Sequence, residues 1–70
     1  MTNQEKFEQL IEHDKKIYIA NAMERFGGGF SQLLGKLILK ADKENLTKIY
    51  ATWPELISTY TDIAKINYLE

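Results

Sequence analysis

The 70-residue chain has no cysteine, one histidine, one arginine and one proline, and three of its four glycines are consecutive. Without cysteine there is no disulfide and no thiolate zinc site. The lone His13 cannot build a typical zinc centre unless several carboxylates join it. No serine–histidine–acid arrangement stands out beyond chance. No apolar run approaches the ~20 residues that span a bilayer, and the polar start does not read as a signal peptide. These absences predict a soluble, intracellular, non-enzymatic protein with no cofactor.

What the chain does have is apolar mass: 44% of its residues are hydrophobic, enough for a packed core. A chain this short buries only about 60% of the surface that its unfolded form exposes. Dense helix packing or self-association must then supply the stability. The net charge of −1 argues against a general affinity for polyanions, but the charge is unevenly placed. Glu5, Glu8, Glu12 and Asp14 against Lys6 make the start acidic, whereas Lys36, Lys40, Lys43 and Lys48 outnumber Asp42 and Glu44 between Phe30 and Trp53.

The periodicity predicts an all-α fold, a single bundle of three to four short helices. Thr2 and Glu5 have capping-box spacing. The apolar set that follows (Phe7, Leu10 and Ile11, then Ile17, Ile19, Ala20, Ala22, Met23 and Phe26) predicts a largely continuous first helix ending at Phe26. The wholly polar His13–Lys16 offers an alternative, a kink with Asp14 capping a second helix. Gly27 is placed to close the helix in a left-handed conformation. Phe30, Leu33, Leu34, Leu37, Ile38 and Ala41 then predict the inner face of the next helix, with Ser31, Lys36 and Lys40 on its other side. Asp42 reads as the cap of a helix carrying Leu46, Ile49, Tyr50 and Trp53. Pro54 should end that helix and open the last, whose inner face is Leu56, Ile57, Tyr60, Ile63 and Ala64, with Ile66, Tyr68 and Leu69 as an apolar tail.

The glycine stretch is the strongest candidate for chemistry. A P-loop reading fails: Gly35 and Lys36 are in register, but Phe30 stands where the first glycine belongs and Leu37 where the hydroxyl belongs. A simpler anion site remains, with free amides at a helix start and the Arg25 guanidinium one turn before them. Its competitor, and the stronger reading, is a corner: Gly27 caps, and Gly28 and Gly29 let two helices approach closely. Glu5, Glu8 and Glu12 share a helix face, but a carboxylate metal site also wants histidine three residues on, and His13 directly follows Glu12. A helix-turn-helix using the lysines with Gln32 and Asn45 is disfavoured by the apolar "LLGKLILK" and the scarcity of arginine. Tyr18, Tyr50, Trp53, Tyr60 and Tyr68 exceed what a minimal core must hide. Tyr50, Trp53 and Tyr60 are therefore the candidate interface of a homo-oligomer, with a monomer carrying boundary tyrosines as the alternative.

Asn21, Ala22, Arg25, Phe26, Gly27, Gly28 and Phe30, then Ala41, Asp42 and Asn45, then Trp53, Pro54 and Glu55 form a pattern over about residues 17–60. It resembles a group of small helical proteins carried by bacteriophages and prophages. With the small, oligomer-prone chain, the missing catalytic constellation and Arg25 beside the glycine turn, this predicts counter-defence by binding, either sequestering a nucleotide-like signal or blocking a host protein. The alternatives are a structural or protein-interaction module with no small-ligand site and a small DNA-binding regulator. The resemblance itself implies phage origin and thus the host cytoplasm. It makes Asn21, Arg25, Gly27, Gly28, Gly29 and Phe30 the candidate ligand site.

Overall fold

The capping box forms as its spacing predicts. In the computed structural model, which describes residues 2–68, the Thr2 hydroxyl accepts from the Glu5 amide at 3.2 Å and the Glu5 carboxylate accepts from the Thr2 amide at 3.3 Å. The helix it opens is short. α1 (Asn3–Glu8) breaks off, and α2 (Glu12–Phe26) begins after three intervening residues. The expected continuous helix is thus two, and Asp14 does not cap the second: Ile11 holds that position and makes no side-chain bond to it. The reason lies in Phe7. Its ring is 1% exposed and meets Tyr18 and Tyr68 edge-on, with centroids 6.3 and 6.0 Å away. To bury that ring between α2 and the end of the chain, α1 has to fold back across them.

α3 (Gly29–Lys40) returns along α2 after a two-residue corner, and α4 (Lys43–Thr52) and α5 (Pro54–Ile66) complete the bundle. The fold is all-α, with five helices and no strand among the described residues; the broken first helix accounts for the number above the expected three to four. α5 packs on α2, and its start is set by Pro54 at the first helical position. Ile57, Tyr60 and Ala64 are buried as their spacing predicts, beside Ile19, Met23 and Ile38 of the core. Lys65 Nζ meets Glu8 Oε1 at 3.0 Å, and Asn3 Nδ2 donates to the Ile66 carbonyl at 3.3 Å, joining α1 to the end of α5. Tyr68 closes the aromatic cluster; Leu69, read as part of the same tail, lies outside the described residues. Among the described residues no helix is long and apolar enough to cross a membrane.

The Asp42 cap also forms: its Oδ1 accepts from the Asn45 amide at 2.8 Å. α4 has only ten residues, too few to be stable alone, so the cap matters more than in a long helix. Asp42→Ala should cost about 1 kcal/mol. In a domain this small that lowers the thermal midpoint by roughly 4–8 °C. Thermal denaturation followed by circular dichroism checks it, with Asp42→Asn expected to recover most of the loss.

Candidate functional site

Gly27 caps α2 at the corner, as its place in the sequence predicts, but with a different geometry. Gly27 is extended, not left-handed (φ −87°, ψ 162°), and no described glycine has positive φ. Its amide donates to the Met23 carbonyl at 3.0 Å, and its own carbonyl accepts from Gln32 Nε2 at 3.2 Å. The requirement for glycine is one of space. A Cβ on Gly27 would lie 2.5 Å from the Met23 carbonyl oxygen, 2.5 Å from the Ser31 Cβ and 2.9 Å from the Tyr60 hydroxyl. One on Gly35 would lie 2.7 Å from the Ala20 carbonyl oxygen and 3.0 Å from the Met23 Cβ. Gly28 and Gly29 face open space. The close approach expected at Gly28 and Gly29 is therefore made by Gly27 and Gly35, with Ser31 between them.

The six candidate ligand residues do not form one site. Asn21 and Arg25, one turn apart on α2, line a cleft of about 180 Å³ against the end of α5, with Tyr18, Phe26, Asn67 and Tyr68 around a floor of Ala22 and Ala64. The Arg25 guanidinium lies 5.0 Å from the centre of the Phe26 ring. Among the described residues no carboxylate lines this cleft. Gly27 is enclosed in the corner, Gly28 and Gly29 are exposed, and Phe30 packs edge-on against Trp53, with centroids 5.9 Å apart. The chain reverses between Arg25 and Phe30, so residues close in sequence line different surfaces. The candidate interface also divides. Tyr60 is a core residue under the corner, Tyr50 is half-buried, and Trp53 stands at the surface. Burial pushes the Tyr50 phenol above its ordinary pKa, and the Glu12 carboxylate pushes it the same way.

α3 departs most from expectation. Its inward face is Ser31, Leu34, Gly35 and Ile38; Phe30, Leu33 and Leu37 are 61%, 68% and 52% exposed. Ser31, assigned to the polar side, is buried, while three large apolar residues assigned to the core are in water. The physical cause is the close α2–α3 crossing, which only small side chains permit. Gly27, Ser31 and Gly35 recur every four residues, one helical turn, and that spacing is the signal the sequence carried. The outward stripe borders a groove between α3 and α4, about 330 Å³ in volume. Leu37, Ala41, Ile49 and Trp53 give its apolar surface, and Lys40, Asn45, Lys48 and Thr52 its polar edge.

Among the described residues no three histidine, aspartate or glutamate side chains gather as metal ligands would. No protein-family model, curated protein or solved structure matches this chain.

Proposed function

We propose that this chain is a non-enzymatic binding protein that acts by occupying another protein through the outward face of α3 and the adjoining α3–α4 groove. One observation carries the reading: Phe30, Leu33 and Leu37 project from the outward side of α3 into water, with Phe30 packed edge-on against Trp53. Together these side chains leave on the order of 400 Å² of apolar surface exposed, comparable to the largest, commonly functional patch on a typical monomer. The accessible surface of the chain is 4703 Å², so the patch is large for its bearer. The resemblance to phage and prophage proteins supplies the biological setting, counter-defence by blocking a host protein. The nucleotide-sequestering version rests on the Arg25 cleft, which offers donors and aromatic walls but only about 180 Å³. Small-molecule sites usually provide about 300–1,000 Å³, so size favours the protein-binding version.

Leu33→Glu tests it. Leu33 is 68% exposed, so the variant should keep its helical signal and melt within a few degrees of the parent. It should lose the proteins that the parent captures from bacterial lysate. Equal capture by parent and variant would sink the reading. A thermal shift with nucleotides that Arg25→Ala abolishes would move the function to the α2–α5 cleft.

A further inference from the structure

We infer that the occupant of the α3–α4 groove is an amphipathic helix with acidic flanks, contributed by a different protein. The inference rests on the protein-binding reading above and adds the chemistry of the partner.

The shape comes first. The described residues contain no strand and so no sheet edge for an extended peptide to join. A trough between two helices, with side chains projecting at helical spacing, suits a third helix laid along it. α3 has 12 residues and is thus about 18 Å long, which matches about three turns of a partner helix. Phe30, Leu37 and Trp53 would receive apolar residues one turn apart.

Charge then selects the partner. The groove is edged by Lys40 and Lys48, and Lys36 follows Leu33 on the exposed side of α3; α3 carries no acidic residue. The neighbouring acids are otherwise engaged or elsewhere. Asp42 caps α4, and Glu55 lines an adjoining hollow that shares Thr52 and Trp53 with the groove but none of its lysines. Glu44 pairs with Lys48 at 3.8 Å with both side chains largely in water, a weak contact that leaves the lysine available. A helix with glutamate or aspartate beside its apolar stripe complements this rim.

A second copy fits poorly. Two α3 faces brought together would set Lys36 and Lys40 against the same residues of the other copy, with no acid on either helix to offset them. The chain's own net-acidic helices are already engaged: α1 has Phe7 in the core and Glu8 on Lys65, and α5 has Ile57, Tyr60 and Ala64 in the core.

Trp53 is the only tryptophan and lies in the groove, so its emission reports occupancy directly. The probes are two synthetic helical peptides with the same leucine spacing, one flanked by glutamate and the other by lysine. The glutamate peptide should shift Trp53 emission to the blue and bind about tenfold more tightly than the lysine peptide, with the advantage shrinking as salt rises. Lys40→Glu combined with Lys48→Glu should reverse the preference. Equal binding of both peptides overturns the acidic partner but leaves a helix-binding face. Binding of neither, while Leu33-dependent capture from lysate persists, overturns the acidic helix alone; with capture also lost, both readings fail. Light scattering that finds a dimer for the parent and a monomer for Leu33→Glu assigns the face to a second copy and overturns the inference.

Discussion

Phe7→Ala should cost about 3–5 kcal/mol, the range for truncating a buried aromatic side chain. A domain of this size has roughly 4–10 kcal/mol of total stability, so the variant should lose about a third of it or more. The ring is 1% exposed and touches Tyr18 from α2 and Tyr68 beyond α5, so its removal opens a cavity where three segments meet. The ion pair beside it cannot compensate. Glu8 is 59% exposed at its side chain, and exposed pairs contribute well under 1 kcal/mol in most measurements. Urea denaturation by circular dichroism measures the loss. A change below 1 kcal/mol would mean that α1 lies outside the cooperative unit and that the rest of the bundle stands without it.

Gly27→Ala and Gly29→Ala, two residues apart, should have opposite signs. At Gly27 the added methyl would strike the Met23 carbonyl oxygen and the Ser31 Cβ, neither of them the far end of a flexible side chain. The helices must separate to admit it, and overpacking of that kind costs about 1–3 kcal/mol. At Gly29, already helical with negative φ, the methyl meets nothing within 4 Å. Alanine there restricts the unfolded chain and should stabilise by about 0.4–1 kcal/mol. Thermal midpoints of the two variants and the parent decide the matter. A neutral Gly27→Ala would show that the α2–α3 crossing is looser than its geometry, and a destabilising Gly29→Ala would assign the exposed glycine a conformational role.

The local signals were legible because they act over one turn. Thr2 and Glu5 box the first amides, Asp42 caps α4, and Pro54 opens α5, each through atoms three residues apart or fewer. The inner face of α5 was equally readable, since Ile57, Tyr60 and Ala64 share one stripe and the opposite side is polar. α3 was not readable in this way. It is apolar around more than half of its circumference, so periodicity leaves open which part faces inward. Spacing says which residues share a side, and the neighbour decides which side is buried.

The sequence alone therefore determined an all-α chain, its caps and its proline break, because those depend on backbone groups and side chains a turn apart. Tertiary structure decided the rest. Phe7 found partners 11 and 61 residues away and broke the first helix to reach them. Gly27 and Gly35 drew α2 and α3 so close that only small side chains fit between them. That closeness turned Phe30, Leu33 and Leu37 outward, beside Trp53. The candidate binding face is thus the consequence of a tight crossing elsewhere on the same helix. It was settled by which side chains are small enough to sit between two backbones.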